Sequence, residues 1–247
     1  MRRFSLFIVV ALACISVYAQ TPSIPGILDP AFTGSKAELP ASSGVSVSKS
    51  NLLAWYDFAN TNDAHGSYNL SQLNSPTYTA GSPNYGSSFG GSNLWTQPSL
   101  DGAFSTNGGS SWTWAIRFMA NAGAVSGSYV MYGQNGTTAA RWLTTTVRGS
   151  VASTTQTTTA VGVTNFWYTY VAVYTPTNRN YYLNGTLYGP AANAFSTFGG
   201  DIYFGGQNAT SADQYNIDYA GFWNRALSTN EVSALSTNTV TYSELQP

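Results

Sequence analysis

Ten acidic residues are the main supply of groups for acid–base chemistry in this sequence. Retaining glycoside hydrolysis needs two carboxyl groups about 5–5.5 Å apart, one as nucleophile and one as acid/base. On a β-strand, residues two or four apart share a face and could form such a pair. No two Asp or Glu residues have either spacing: Asp57 and Asp63 are six apart, and Asp213 and Asp218 are five apart. A pair drawn from different strands stays open, but a glycoside hydrolase is the disfavoured alternative.

The residue types that carry most other catalysis are scarce. His65 is the only histidine and Cys14 the only cysteine. A Ser-His-Asp triad would have to use His65, which lies beside Asp63 and Gly66 in a predicted loop, where a turn-stabilising or exposed histidine is the simpler interpretation. One histidine and one cysteine cannot supply the usual ligands of a zinc ion. The sequence therefore predicts a protein that is not an enzyme and that requires no cofactor.

Aromatic and polar side chains could instead bind sugars, since rings pack on sugar faces while polar groups hydrogen-bond hydroxyls. Trp95 lies in the glycine-rich run 90–97 and Trp142 follows Arg141, both where the pattern is loop-like or ambiguous. Arg117 lies on the polar face of its predicted strand. The alternatives are packing roles for the two tryptophans and a solvated surface charge for Arg117. The candidate ligand-binding residues are Trp95, Trp142, Arg141 and Arg117.

The charge of the chain excludes one large class of partners. Charged residues make up 8% of the sequence and aromatic residues 15%. Without Arg2 and Arg3, seven Lys and Arg remain against ten Asp and Glu, a net charge of −3. A nucleic-acid-binding protein needs a basic stripe that releases counterions, and the sequence contains none. The neutral, hydroxyl-rich composition suits uncharged ligands such as sugars, and it suits a self-assembling coat equally well.

The first nineteen residues have the pattern of a signal peptide. Arg2 and Arg3 precede an apolar run, 4–13, and Val17-Tyr18-Ala19 places small residues before a cleavage point. The run is too short to cross a bilayer, and no later segment reaches the roughly 20 apolar residues that a span needs. We expect residues 1–19 to be removed and the protein to be secreted or at the cell surface. The alternative is lipid attachment at Cys14, which follows Ala-Leu-Ala as in a loose lipobox.

Residues 20–50 are rich in Pro, Ser, Gly and Ala and show no sustained period. Such a composition predicts a linker or an extended N-terminal arm. The run 44–48 could instead add a strand to the sheet edge of a second copy of the chain, which would make the protein its own partner through the arm.

From Asn51 onward, short β-rich runs alternate with turn residues. Apolar and polar residues alternate strictly through 111–118, the period of a half-buried strand. Asn184-Gly185 and Asn135-Gly136 each predict a tight hairpin turn. A capping box formed by Ser228 and Glu231 predicts one short C-terminal helix. Many strands, one helix and no strand–helix alternation predict an all-β, two-sheet antiparallel sandwich.

Several segments, in this order, resemble the laminin-G-like jelly rolls of the concanavalin A-like lectin/glucanase superfamily. They are 52–58 with its following loop 62–70, the strand at Trp112, 167–174, the hairpin 182–185 and the closing run 217–232. The resemblance covers about residues 50–236 and implies a concanavalin A-like jelly-roll sandwich over 51–247. It also implies that the tryptophans in these strand motifs are core residues: Trp55, Trp112, Trp114, Trp167 and Trp223.

Members of this superfamily often hold a calcium ion or bind carbohydrate near a concave sheet face or its rim loops. Calcium takes several oxygen ligands from carboxylates, amides and carbonyls. Asn60 and Asp63 lie in an oxygen-rich loop, and Asp218 takes an acidic position in the closing motif. These three are the candidate calcium ligands. The alternative is that Asp63 builds an Asx turn and that Asp218 is an exposed strand residue.

The leading functional hypothesis is a secreted, non-catalytic binding or adhesion protein that recognises a polysaccharide or cell-surface glycan. The rival is a self-assembling structural subunit of an extracellular filament, sheath or virion surface. It is motivated by the low charge, the threonine-rich stretch 144–159 and the arm. A hydrolase on this fold ranks third.

Overall fold

Runs of aromatic and β-branched residues, separated by turn residues, form strands through most of the described chain. The computed structural model describes residues 47–73, 77–79, 85–88, 94–97, 100, 111–121, 129–133, 138–143, 146–151, 154–157, 163–192, 201–206, 215–237 and 240–247. The predicted leader 1–19, residues 20–46 of the predicted arm and the Asn135-Gly136 turn lie outside the described residues.

Strands dominate the described residues, with one short α-helix and one 3-10 helix near the C-terminus. The 3-10 helix spans Tyr242–Glu244, and the α-helix, α1, spans Thr229–Thr237. The strands in chain order are β1 Leu52–Tyr56, β2 Ser71–Leu73, β3 Thr77–Thr79, β4 Tyr85–Ser88, β5 Leu94–Gln97, β6 Trp112–Ala120, β7 Tyr129–Gly133, β8 Thr138–Leu143, β9 Thr146–Val151, β10 Thr154–Thr157, β11 Trp167–Tyr174, β12 Asn178–Leu183, β13 Thr186–Ala192, β14 Ile202–Phe204 and β15 Tyr215–Trp223.

The strands form two antiparallel sheets. The eight-stranded sheet has the order β13-β12-β11-β6-β15-β4-β3, with β1 also paired to β15. The seven-stranded sheet has the order β10-β9-β8-β7-β14-β5-β2. This architecture, with one short helix, confirms the predicted all-β, two-sheet antiparallel sandwich.

The inner faces of the two sheets enclose the main apolar core. Period-2 alternation places the large apolar residues of β6 on one face, as predicted, and the tyrosines of β11 lie in the same cluster. From the seven-stranded sheet, Phe204 packs against Tyr56, Phe58 and Phe222 of the facing layer, with ring centroids 5.3 to 6.3 Å apart. Such edge-to-face contacts add to the gain from burying the rings.

A second apolar cluster covers part of the outer face of the eight-stranded sheet. Val232 and Leu235 of α1 are fully buried in it, together with Trp55, Tyr219 and Trp223. The predicted capping box holds the start of the helix: the Glu231 amide donates to Ser228 Oγ, and the Ser228 amide donates to Glu231 Oε2. The helix therefore forms where the sequence predicts it, and its packing buries both faces of the central strands.

The Asn184-Gly185 turn joins β12 to β13 as predicted. Both residues have positive φ, 48° and 78°, which only Asn, Asp and Gly adopt readily. The Asn184 amide donates to the Thr169 carbonyl, and the Thr169 amide donates to Asn184 Oδ1, so the turn is also tied to β11.

Residues 47–50, which the sequence analysis assigns to a linker or an extended arm, pack against the C-terminal residues of the same chain. Val47 is buried, and its carbonyl accepts a hydrogen bond from the Gln246 amide. The Lys49 amide donates to the Gln246 carbonyl, and Ser48 forms a parallel β-bridge with Gln246. Backbone groups of Val47 and Ser48 are therefore hydrogen-bonded within the chain. This counts against the predicted addition of these residues as a strand to the sheet of a second copy. The folded region starts before the predicted boundary at 51.

Glu231 links this N-terminal segment to the rest of the domain. Its carboxylate accepts hydrogen bonds from the Arg225 guanidinium, from the Ser228 amide and hydroxyl and from the Ser48 amide. Burial alone would raise the pKa of this carboxyl, but these hydrogen bonds outweigh it and lower the pKa from 4.5 to about 2.

The lowered pKa of Glu231 predicts a loss of stability in acid. A carboxyl whose folded pKa is depressed contributes its full stabilisation above the unfolded pKa and loses it as pH falls. The loss should therefore run from about pH 4.5 down to about pH 2 and amount to on the order of 1 to 2 kcal/mol, since the site is partly exposed and screened. Glu231→Gln should flatten the thermal unfolding profile over this pH range. Glu244→Gln, which alters a similar carboxylate at an exposed turn, is the control and should leave the slope in place.

Within the described residues, no helix has the length and the apolar character needed to cross a membrane.

Candidate functional site

Among the described residues, the outer face of the eight-stranded sheet is only partly covered at the end away from α1. Ala115 of β6 and Val171 of β11 belong to the cluster under the helix, but Arg117, Met119 and Trp167 beyond them are only partly buried. The strand register places them side by side, because Trp167 pairs with Met119 and Thr169 with Arg117. We call this surface the Arg117 patch; it comprises Arg117, Met119, Asn121, Trp167, Asn216 and Asp218.

Arg117 is the centre of the patch. Its Nε lies 3.0 Å from Asp218 Oδ2, and its Nη1 donates to Thr169 Oγ1 over 3.4 Å. The Nε–H does not point at the Asp218 oxygen, so the attraction is between charges rather than through an aligned hydrogen bond. The guanidinium carbon lies 5.3 Å from the centre of the Trp167 ring, within the range of a cation–π contact.

A bulge in β15 places Asp218 next to Arg117. The register between β15 and β6 shifts between Ile217 and Tyr219, so that Tyr219, not Asp218, pairs with Arg117. The extra residue turns the strand locally and brings the carboxylate to the guanidinium. The side chain of Asp218 is 5% exposed and that of Arg117 is 17% exposed. Arg117, predicted as a ligand-binding residue, and Asp218, predicted as a calcium ligand, thus form one ion pair.

Two amide side chains extend the patch toward the end of the strands. Asn121 Nδ2 donates to Asn216 Oδ1 over 3.3 Å. Both residues are partly buried, and Asn216 pairs with Met119 in the strand register. This hydrogen bond uses one polar atom of each amide, and within the described part of the chain the other polar atom of each remains for contact with hydroxyl groups.

Trp167 is a candidate contact residue that the sequence-based interpretation assigns to the core. The structure shows that this assignment is wrong: Trp167 is partly exposed and belongs to neither buried cluster. The four other tryptophans of that prediction, Trp55, Trp112, Trp114 and Trp223, are buried. The alternation of β11 could have indicated that Trp167 lies on the outer face, because Trp167 shares its face with Thr169 and not with Tyr168 and Tyr170.

The other three predicted ligand residues lie in the seven-stranded sheet. Trp95 is in β5, paired with Phe204 of β14, and Arg141 and Trp142 are in β8. Both tryptophans therefore lie in strands, at positions where the sequence pattern is loop-like or ambiguous. Their side chains lie outside the described part of the chain. Arg117 is in the opposite sheet, so the structure does not unite the four residues.

Asp63 has a structural role in the loop after β1. Its Oδ1 accepts from the Trp55 and His65 amides at 2.9 Å, and its Oδ2 accepts from the Tyr68 amide at 3.2 Å. The side chain of Asn69 in turn accepts the Asp63 amide. Burial, followed by the nearby Asp63 charge, raises the pKa of Tyr56 well above its usual value. The loop is therefore closed around a buried carboxylate.

The three candidate calcium ligands have different surroundings. The Asn60 side chain accepts the Asn62 amide, Asp63 holds three backbone amides, and Asp218 lies beside Arg117. Among the described residues, no three His, Cys, Asp or Glu side chains come together. Calcium binding at these residues stays a prediction.

The described carboxylates each have a contact within the fold. Asp57 accepts the Ala59 amide, and Asp201 accepts the Tyr203 hydroxyl. Glu231 joins the terminal segments, Glu244 caps Thr241, and Asp63 and Asp218 have the roles described above. His65, the residue that a catalytic triad would need, lies with its Nδ1 3.1 Å from the Tyr242 hydroxyl.

Several solved structures resemble this chain in fold. Domain 4 of AbnA, a GH43 extracellular arabinanase from Geobacillus stearothermophilus, in complex with arabinotriose, has a TM-score of 0.60 at 13% identity, covering 75% of this chain and 98% of that one. A Trypanosoma rangeli sialidase in complex with 2,3-difluorosialic acid gives 0.63 at 15% identity, covering 83% and 35%. Botulinum neurotoxin type C, whose cell entry depends on two ganglioside molecules, gives 0.60 at 10% identity, covering 78% and 52%.

The chain shares their β-sandwich fold. It spans nearly all of the arabinanase domain, about a third of the sialidase and about half of the toxin chain. At these identities the likeness establishes the fold and not the ligand. The sequence matches no protein-family model and no curated protein.

Proposed function

We propose that this chain is a secreted, non-catalytic, laminin-G-like protein that binds glycans, and that the Arg117 patch is a binding surface. The observation that carries the proposal is the Trp167 ring beside Arg117 on a partly covered sheet face, flanked by the amides of Asn121 and Asn216. An aromatic ring with a few polar groups around it is the usual composition of a small-ligand site.

Each group in the patch has a task in sugar binding. The exposed part of the Trp167 ring offers an apolar surface to the C–H face of a sugar ring. Among the described residues, the guanidinium contacts of Arg117 use Nε and Nη1, which leaves the Nη2 amine to donate to sugar hydroxyls. The Asn121 and Asn216 amides can both donate and accept, as hydroxyl groups require.

The use of the carboxylates supports a non-catalytic role. The six described Asp and Glu side chains hold backbone amides, hydroxyls or guanidinium groups of the fold itself. A retaining hydrolase needs two carboxyl groups free to act on the substrate. Three proteins with this fold bind arabinotriose, 2,3-difluorosialic acid and gangliosides, which favours carbohydrate as the ligand class. The leader-like residues 1–19 favour secretion.

Replacing Trp167 by alanine should weaken glycan binding about tenfold or more, the loss expected when one contact worth about 1.4 kcal/mol is removed. Binding of the secreted protein to an array of plant and animal oligosaccharides is the first measurement. Isothermal titration with the best oligosaccharide then gives the dissociation constants of wild type and variant.

Phe166→Ala is a matched control, because Phe166 is an exposed aromatic residue next to Trp167 and outside the patch. It should leave the dissociation constant unchanged. If wild type binds no glycan on the array, the proposal fails. If it binds but Trp167→Ala retains full affinity, the site lies elsewhere, and Trp95→Ala and Trp142→Ala test the two positions in the seven-stranded sheet.

A further inference from the structure

We infer that Asp218 makes the Arg117 patch selective for uncharged glycans and against glycans that carry carboxylates. The inference rests on the proposed function and adds the class of sugar that the site accepts. It starts from the distance of 3.0 Å between Arg117 Nε and Asp218 Oδ2.

The ion pair cancels the charge that would attract an acidic sugar. Both side chains are largely buried, 5% exposed for Asp218 and 17% for Arg117, so water screens their charges less than at a fully exposed site. A second carboxylate brought to Arg117 would also approach Asp218. Like charges placed together in an interface oppose binding strongly, and this is a common source of specificity.

The ion pair also obstructs the edge of Arg117 at which a second carboxylate would bind. A carboxylate binds a guanidinium best through two parallel N–H bonds from one edge. Asp218 Oδ2 lies 3.0 Å from Nε and so blocks this edge of Arg117, although without an aligned N–H bond, and Thr169 Oγ1 accepts a hydrogen bond from Nη1. A sugar hydroxyl needs only one donor and one acceptor, so it can bind to Nη2 without displacing either residue.

No other described basic side chain lies in the patch to restore a positive charge. Lys49 lies over the Tyr242 ring, and Arg225 is paired with Glu231. Arg179 is 2% exposed and pairs in register with Tyr174 of β11, away from Trp167. The net charge of the described patch is therefore zero.

The test compares matched glycans that differ in one carboxylate, such as lactose with sialyllactose and methyl-esterified with free oligogalacturonide. The full secreted protein should bind the neutral member of each pair about tenfold more tightly. Asp218→Asn should raise affinity for the acidic member about five- to tenfold, because Arg117 is then an uncompensated cation, and should change affinity for the neutral member little. Asp201→Asn, which removes a carboxylate from the opposite sheet, should change neither.

The outcomes separate this inference from the proposed function. If no glycan of either kind binds, the proposed function fails. If glycans bind but wild type takes acidic and neutral members equally, or folded Asp218→Asn keeps the wild-type preference, the inference is overturned and the proposed function stands. Should Asp218→Asn not fold, Arg117→Gln decides: it leaves the Asp218 charge unopposed, so the preference for neutral glycans must increase, and an unchanged or smaller preference contradicts the inference.

Discussion

Replacing Asp63 by alanine is expected to lower the free energy of unfolding by about 4 kcal/mol, a large part of the 5–15 kcal/mol that stabilises a typical domain. The carboxylate accepts three backbone amides at 2.9 to 3.2 Å, and the residue is 7% exposed. The Trp55 amide lies in the buried part of β1 and would lose its acceptor without gaining water. Buried donors left without an acceptor cost about 1–3 kcal/mol each.

The measurement is thermal and denaturant unfolding of Asp63→Ala and Asp63→Asn. For a domain of this size, the alanine variant should melt roughly 8–16 °C lower than wild type. Asparagine keeps an oxygen for Trp55 and His65 but turns an NH₂ group toward the Tyr68 amide, so its loss should be smaller. Asp57→Ala is the matched control, since Asp57 lies in the same loop and accepts one amide at an exposed position.

The two variants also separate a structural role of Asp63 from a metal-binding role. If Asp63 has only a structural role, neither calcium nor a chelator should change the melting temperature of wild type or of the variants. A calcium ligand makes wild type melt higher with calcium, a difference that Asp63→Ala removes. If Asp63→Ala melts within 2 °C of Asp57→Ala, the loop does not depend on the buried carboxylate. The three hydrogen bonds to Asp63 then contribute much less than the expected 4 kcal/mol.

Local patterns in the sequence were sufficient to predict the parts of the fold that depend on neighbouring residues. The alternation in β6, the positive φ at Asn184 and Gly185 and the Ser228–Glu231 capping box each involve residues a few positions apart. Each also agrees with the global sandwich, as expected of sequences that fold to one structure. The number and order of these elements then indicated a two-sheet sandwich, and the resemblance added its jelly-roll form.

The candidate site could be predicted only in part, because its contacts join residues distant in sequence. Arg117 was singled out from its strand face, but its partner Asp218 lies 101 positions away and reaches it only through a bulge. Trp167 was assigned to the core because a tryptophan in a strand motif is usually buried. The sequence of a strand does not specify which of its faces α1 covers or how much of the strand's length is covered. Both depend on tertiary packing.

The N-terminal boundary was missed for a similar reason. Val47 and Ser48 lie in a segment whose composition resembles a linker, and their partner Gln246 is close to the other end of the chain. The Arg225 guanidinium strengthens this connection by donating to the Ser48 carbonyl. Contacts of this sequence separation leave no periodic signal, so composition alone placed the start of the folded region at 51 rather than at 47.

Gly221→Ala is expected to destabilise the domain by about 3 kcal/mol, through overpacking of the outer-face cluster. Gly221 lies in β15, between Trp55 of β1 and Ala115 of β6. A Cβ placed there would lie 2.6 Å from Trp223 Cη2 and 2.8 Å from Trp55 Cε3. Both indoles are fully buried, and Trp55 also stacks on Tyr219 with centroids 4.9 Å apart. Neither ring can move outward without disrupting the contact between the sheet and α1.

A double-mutant cycle tests this steric cause directly. If the clash is responsible, Gly221→Ala should cost less when Trp223→Phe has already removed the ring atoms that the new methyl group meets. The interaction free energy between the two positions should then reach about 1 kcal/mol or more, well above the few tenths found for independent sites. Additive losses would instead assign the cost of Gly221→Ala to the backbone of β15. A melting temperature within 2 °C of wild type would show that the indoles repack freely, which would contradict the close packing that joins α1 to this sheet.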